Sequence, residues 1–395
     1  MKPGWEIRTL GEVCEFQNGF AFKSSTFTDT GEPIIRISDI QNDEVIDTNV
    51  VYFNPSSYHE DLSRFIVYPG DILIAMSGGT TGKLGMNNTQ RCFYLNQRVG
   101  VFRENKALLN HEFLFHFLHT KSEESLRISA GAAQPNLSTA QIKAFEIPVP
   151  SLTEQQRIVG ILDQEFAKID ALKANAEKSL QAAKDLFQAT LKKELEPKEG
   201  WKRCCLQDVC TDYGDYGMSL PSKSFDGVRY LRITDITEWG DLNDDKVSVD
   251  ADEIDERYMV RAGDILFART GATVGKTLVY EERFGRCCYA GYLIRYRPDQ
   301  NIVLPRMLYY ITHSASYYEW VAISQKSATL PNISAKLYNS YELSLPSTKE
   351  QGRIISQLDE LNEKCFVLQQ NYQKTLSLCD DLKQALLRKA FNGEL

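Results

Sequence analysis

The sequence predicts an α+β chain. Two tandem α/β domains are each followed by one long helix, the two helices pack antiparallel as a coiled coil, and the halves are related by a pseudo-two-fold axis. Two observations carry this prediction. Residues 132–163 recur at 328–359 with 13 identities in 32 positions. A repeat spanning about half a chain is a tandem duplication, too long a period for a solenoid. Within each half the apolar spacing also changes, from short β-rich runs broken by Gly, Asn and Asp to a long series of steps of three and four, the mark of a helix with one apolar stripe.

The first domain spans residues 1–150. Its β-rich runs include Ile34–Ile40 and Asp71–Met76, and a helical patch covers Glu112–Leu118. The first long helix spans 151–197. From Ser151 to Leu195 it has no Pro and a single Gly, Gly160. Its stripe is Ile158, Leu162, Phe166, Ile169, Leu172, Ala176, Leu180, Ala183, Phe187 and Leu191. Pro150-Ser151 with Glu154 forms a capping box, and Pro197 and Gly200 stop the helix. The second domain spans 198–346. At an offset of 196 it repeats Trp5 as Trp201, Val13-Cys14 as Val209-Cys210, and Arg36–Ile40 as Arg232–Ile236. At an offset of 193 it repeats Gly70–Leu73 as Gly263–Leu266 and Gly82-Lys83 as Gly275-Lys276. Its helical patch is Arg306–Ile311. The second long helix spans 347–395, opens with Pro346-Ser347 and Glu350, and carries its stripe from Ile354 through Leu358, Leu361, Cys365, Leu368, Tyr372, Leu376, Cys379, Leu382 and Leu386 to Ala390. About 40 helical residues make a rod of roughly 60 Å. A rod with one apolar stripe needs a partner, and the other copy supplies it.

Composition narrows the class. The 395 residues are 43% hydrophobic and 25% charged, which excludes a mainly disordered chain. No apolar run approaches the ~18 residues of a membrane span, and the start of the chain lacks a signal-peptide core, so a soluble cytoplasmic protein is expected. The nine cysteines form no Cys-x-x-Cys pair and include the doublets Cys204-Cys205 and Cys287-Cys288. Adjacent cysteines suit a structural zinc site poorly, so reduced thiols are expected. Net charge is −8, unfavourable for phosphate binding as an average. The average hides a pattern. Residues 41–61 hold five acids and no Lys or Arg, and 241–257 hold eight acids against two bases. Basic segments follow each, at 62–103 and 258–297, so phosphate contact is permitted locally.

Catalytic motifs are weak. Gly78–Lys83 and Gly271–Thr277 have three residues between the first Gly and Gly-Lys, where a P-loop needs four. Asn54-Pro55-Ser56-Ser57 is a poor match to an amino-methyltransferase motif and is absent from the second copy. Asp71 with Glu104-Asn105-Lys106 matches a nuclease only loosely, so Asp71 and Asp264 read as turn-shaping residues before a strand. His111, His116 and His119 have helical spacing, but only His119 recurs, as His313, and no metal site is assigned. What remains is a double set of polar loop residues: Thr80, Thr81, Lys83, Tyr94, Asn96, Gln97 and Arg98 in the first copy, and Arg269, Thr270, Thr273, Lys276, Tyr289 and Tyr292 in the second. Asn, Gln and Arg are the side chains that read base edges by paired hydrogen bonds.

The ordered, doubled set of motifs resembles the DNA-specificity subunits of type I restriction-modification systems. The resemblance covers essentially the whole chain. It rests on the paired helix starts at Pro148–Ile158 and Ser344–Ile354, the Arg-Ile-Ser/Thr-Asp-Ile and Gly-Asp-Ile-Leu segments, Gln134–Ser138 with Leu330–Ser334, and the ending Leu387–Leu395. It implies a non-catalytic reader of double-stranded DNA. Each globular domain is then a target-recognition domain for one half of a bipartite site, with the residues above, Tyr94 apart, as DNA contacts. The long helices would be spacers that set the gap and dock two methyltransferase subunits. Those partners would use S-adenosylmethionine to methylate adenine N6, and a nuclease-translocase subunit would use ATP and Mg. Loops that differ between the copies, such as Asn18-Gly19-Phe20 against Tyr213–Gly217, imply two different half-sites. Two other classes compete: a coiled-coil scaffold with two domains for non-DNA ligands, and a self-contained DNA-modifying enzyme.

Overall fold

The computed structural model describes residues 2–130, 136–325 and 331–395. Gln134, Pro135 and Leu330 of the repeated motif lie outside the described residues. The chain divides into two compact units, one of residues 1–176 and 374–395, the other of residues 177–373. Each unit therefore takes part of both long helices.

In the first unit, six strands form a sheet in the order Cys14–Asn18 (β1), Val99–Glu104 (β5), Ile72–Ala75 (β2), Leu84–Met86 (β3), Asp43–Val45 and Ile40–Gln41. A second sheet of five strands has Phe93–Leu95 (β4) between Glu32–Ile35 and Ile66–Val67. The central strand β2 is buried at every position, as a strand covered on both faces should be. The second unit repeats the centre of this plan. Leu293–Tyr296 (β9), Ile265–Ala268 (β6) and Thr277–Val279 (β7) are neighbours in one sheet, and Cys287–Tyr289 (β8) pairs in parallel with Arg229–Leu231. In both units a short helix follows the sheet, His111–Thr120 (α1) in the first and Pro305–Thr312 (α3) in the second.

The long helices run Leu152–Leu195 (α2) and Thr348–Asn392 (α4). In the first unit the early part of α2 lies antiparallel to the late part of α4. Lys173 pairs with Asp380 at 2.8 Å, Lys383 with Asp170 at 2.6 Å, and Arg157 donates to the Leu395 carbonyl at 2.7 Å. In the second unit Arg353 of α4 reaches Glu194 of α2 at 3.4 Å. The buried positions Leu162, Ile169, Ala176 and Ala183 of α2 are seven apart, as are Leu358, Cys365 and the half-buried Tyr372 followed by Cys379 in α4. That is the spacing of a coiled-coil seam. The seam is narrower than the stripe: Leu172, Leu368 and Leu382 are exposed.

One device fastens each long helix to its domain. Gln155 is fully buried. Its Oε1 accepts the Asn110 N–H at 2.7 Å, and its Nε2 donates to the carbonyls of Leu108 (2.9 Å) and Pro150 (2.8 Å). Gln351 does the same with the Leu304 N–H and the carbonyls of Ile302 and Pro346. Two turns on, Asp163 accepts from His116 of α1 at 2.8 Å, and Asp359 accepts from Arg306 at 2.8 Å and from the Tyr310 hydroxyl.

Several expectations need correction. The capping boxes are half made: Ser151 and Ser347 accept from the N–H groups of Glu154 and Glu350 at 3.3 Å. The two carboxylates bind Arg157 with Lys2, and Arg353, instead of reaching back. The run Ile34–Ile40 is not one strand. It ends at Ile35, and a 3₁₀ turn follows, held by Asp39 accepting from the Arg36 N–H at 2.8 Å. Asp235 holds the equivalent turn at Arg232. Helices at Ser122–Ala130, Thr139–Lys143, Ala315–Gln325 and Ala335–Asn339 had no expected counterpart. No helix among the described residues is long and apolar enough to cross a membrane.

Two outcomes follow from this packing. Gln155→Leu removes the partner of the Asn110 N–H and of the Leu108 and Pro150 carbonyls. Urea titration should register a loss of about 3 kcal/mol, against less than about 0.5 for Gln156→Leu on the exposed side. The second outcome concerns His313, a buried residue that stacks on Tyr309 with ring centroids 4.1 Å apart and donates from Nδ1 to the Tyr309 carbonyl at 2.7 Å. Burial pushes its pKa from 6.5 down to about 4. The unfolded chain takes up this proton first, so the contribution is intact above about pH 6.5 and is lost as pH falls toward 4, amounting to about 3 kcal/mol. Stability measured across that window should fall less steeply for His313→Phe than for the parent chain.

Candidate nucleic-acid interface

In each unit three chain segments meet at one residue, and they do so through the backbone. The Met76 N–H donates to the Arg98 carbonyl at 2.8 Å, and the Met76 carbonyl accepts from the Leu137 N–H at 2.8 Å. The loop after β2, the loop between β4 and β5, and the segment at Leu137 are thereby joined. In the second unit the Arg269 N–H donates to the Tyr292 carbonyl at 3.0 Å, and its carbonyl accepts from the Ile333 N–H at 2.9 Å. The Gly-Lys loops match as well. Gly78 and Gly271 have φ of +73°, and Gly82 and Gly275 have +84° and +87°. A Cβ on Gly275 would come within 2.8 Å of Val321, so the left-handed turn and its close packing both select glycine. These loops are 3₁₀ turns closed on their own backbone.

The expected contact residues fall into three groups. Lys83, Gln97 and Arg98 are exposed, and Lys83 and Arg98 carry no ion pair among the described residues. Tyr292 is 60% exposed. Thr80, Asn96, Arg269, Thr270, Thr273 and Lys276 are half-buried. Lys276 donates to the Ile236 carbonyl at 3.3 Å, and Thr80 to the Ser77 carbonyl at 3.3 Å. Thr81 and Tyr289 are corrected. Thr81 is 2% exposed and its hydroxyl donates to the Gly78 carbonyl at 2.8 Å, so it closes the turn. Tyr289 has no exposure. It stands where Leu95 stands in the first unit, since Asn96 and Ala290, the next residues, make the same bond to Ile35 and Leu231. That strand position faces the core. Burial pushes the Tyr289 phenol well above its ordinary pKa. Tyr94 is half-buried against Phe53.

Tyr216, which no motif singles out, lies against one of the expected contact residues. The Arg269 guanidinium lies over its ring at 4.8 Å. The available signal was the glycine that follows it: a Cβ on Gly217 would collide with the Tyr289 carbonyl, as one on Gly19 would with Leu95. Both loops therefore hug the β4 or β8 strand at the same point.

Part of the charge pattern resolves into pairs. Arg91 binds Asp47 at 3.3 Å, Arg232 binds Asp245 at 2.8 Å, and Arg283 binds Asp241 at 3.2 Å. Each joins a basic residue to an acidic stretch. Asp71 and Asp264 shape their turns, accepting from the Tyr68 and Arg261 N–H groups at 2.9 and 3.0 Å. The histidines face separate carboxylates: His111 Glu104, His116 Asp163, and His119 Asp43. The cysteines are free thiols, and burial pushes Cys287 up to about 12 and Cys288 to about 11.

The two loop platforms share one backbone frame and carry different side chains, and comparison with known proteins gives the family. The profile of the type I restriction modification DNA specificity domain matches residues 2–182 and again 198–377. The chain belongs to the family of type I restriction-modification DNA specificity subunits. It is 27% identical to the EcoBI specificity subunit of Escherichia coli over 99% of this chain and 86% of that one. It is 26% identical to the EcoKI specificity subunit of Escherichia coli K12 over 100% and 90%. Among solved structures, a chain from a type I system described for its complex assembly and conformational transition aligns with a TM-score of 0.78 at 22% identity, over 100% of this chain and 99% of that one. The HsdS subunit from Thermoanaerobacter tengcongensis aligns with a TM-score of 0.52 at 22% identity, over 100% and 98%.

The corrected placement is testable. Tyr289→Phe removes a buried hydroxyl that has no partner among the described residues. DNA affinity of the assembled complex should stay within about twofold and stability should not fall. Lys83→Ala, which removes an exposed cation, should weaken binding several-fold and lower the salt slope by roughly one.

Proposed function

We propose that this chain is the non-catalytic reader of a cytoplasmic type I restriction-modification complex. Its two recognition domains each take one half of a bipartite, asymmetric site in double-stranded DNA. The paired helices set the gap and dock two methyltransferase subunits. S-adenosylmethionine belongs to those subunits, and ATP and Mg to a nuclease-translocase subunit. The observation that carries the reading is the repeated backbone junction at Met76 and Arg269. It holds the same loops in both domains while presenting different side chains, Arg98 against Tyr292 and Met76 against Arg269. One framework with two loop chemistries suits two unlike half-sites. Exposed Leu172, Leu186, Phe366, Val367 and Leu378 on the long helices support docking, because apolar side chains outside the seam favour a partner surface.

Co-expression with a methyltransferase subunit in a methylation-free host, followed by mapping of N6-methyladenine, tests the reading. The expected product is a split motif with two specified halves and a fixed unspecified gap. Deleting seven residues, two helical turns, from both 165–185 and 361–381 should shorten that gap. No new methylation from associated subunits counts against the reader role, and an unchanged gap counts against the spacer role.

A further inference from the structure

The junction residue breaks the symmetry of the duplication. Met76 is 5% exposed and apolar; Arg269 in its place is half-buried and charged. Both its N–H and its carbonyl are engaged in the junction, and its guanidinium lies over the Tyr216 ring at 4.8 Å. The ring is held in turn: the Tyr216 hydroxyl accepts the Ala335 N–H at 2.9 Å. The neighbouring Asp215 is ion-paired to Arg295, which is 2% exposed and also donates to the Arg257 carbonyl at 2.6 Å. The Arg269 backbone and the Tyr216 ring are therefore both held in place, the guanidinium lies over one face of the ring, and the Arg269 Nε is buried without a partner among the described residues.

A cleft of about 540 Å³ opens beside it, lined in part by Ser219, Arg232, Thr234, Gly291 and Tyr292. Arg232 is committed to Asp235 and Asp245 at 2.7 and 2.8 Å. Arg269 has no ion pair among the described residues. A lysine can meet a phosphate as a point charge, so a phosphate contact does not require a planar side chain held in place. A stacked guanidinium offers a planar fork of donors, the shape that matches the two major-groove acceptors of guanine.

We infer that Arg269, stacked on Tyr216, reads one guanine in the half-site of the second domain, donating two parallel hydrogen bonds to its O6 and N7. The inference rests on the reader role proposed above and names the base that this domain selects. Its test uses the chain assembled with its methyltransferase subunit and the methylation map as readout, for the parent, Arg269→Ala, Arg269→Lys and Tyr216→Leu. In the parent, one half of the motif should contain a guanine at a fixed position. Arg269→Ala and Arg269→Lys should keep the other half and the gap but accept other bases at that position, with roughly a 10- to 100-fold loss of discrimination. Tyr216→Leu should relax the same position to a smaller degree. The inference is overturned if Arg269→Lys keeps the parent motif, or if Arg269→Ala lowers methylation evenly across sites, as loss of a phosphate contact would. Should Arg269→Ala fail to fold, the lysine variant alone decides. A parent chain that yields no split motif defeats the reader role itself, whereas a split motif unaltered in the variants defeats only the assignment to Arg269.

Discussion

A buried primary amide is the constraint on which each half depends. Gln155 and Gln351 are fully buried, and an amide in that position must use its donors and acceptor or cost several kilocalories per mole. Two bonds to the segment ahead of the short helix, at Leu108 and Asn110, and one to the Pro150 carbonyl at the start of the long helix satisfy it, and they do so in one rotational setting of the long helix. Asp163 and Asp359 then meet the short helix two turns later. The seven-residue seam continues on the same face, from Gln155 to Leu162, Ile169 and Ala176. The direction in which a domain presents its loops is thus tied to the seam of its helix.

Above that anchor, the recognition framework is made of main-chain bonds, which are indifferent to side-chain identity. This is why the two copies diverge at the junction without losing it. Methionine and arginine make the same two backbone hydrogen bonds, yet one side chain packs inward and the other stacks at the surface. The same logic moves polarity in the opposite direction at Leu95 and Tyr289, where a phenol fills a core position that leucine fills in the other copy.

Much of the architecture was legible in the sequence because its signals are periodic and written twice. The long helices show in steps of three and four, and the duplication shows in motif order. What escaped has identifiable causes. Tyr289 was read as a contact because it is polar and lies beside a loop, but its strand parity points inward, and parity could be read only through its alignment with Leu95. The Glu154 carboxylate had two suitors of opposite kind, a backbone N–H and the cations Lys2 and Arg157; tertiary proximity to Lys2, 152 residues away, is invisible to local pattern. Arg36–Asp39 looks extended by composition, yet an aspartate accepting from the backbone three residues earlier favours a turn. The Arg269–Tyr216 stack joins two loops whose closeness only the fold supplies.

The pairing of charge bears on how such a chain would hold DNA. Net charge is −8, and Arg91, Arg232 and Arg283 are neutralised by the acidic stretches beside them. In the loop platforms, the cations free of ion pairs among the described residues include Lys83, Arg98 and Arg269. Non-specific affinity scales with the number of phosphates neutralised, so a cation already held in an ion pair adds less to a sequence-independent grip. Discrimination, by contrast, depends on donors and acceptors held at base edges, and the backbone junction and the Tyr216 platform supply that order. On the proposed reading, the specificity chain contributes selection.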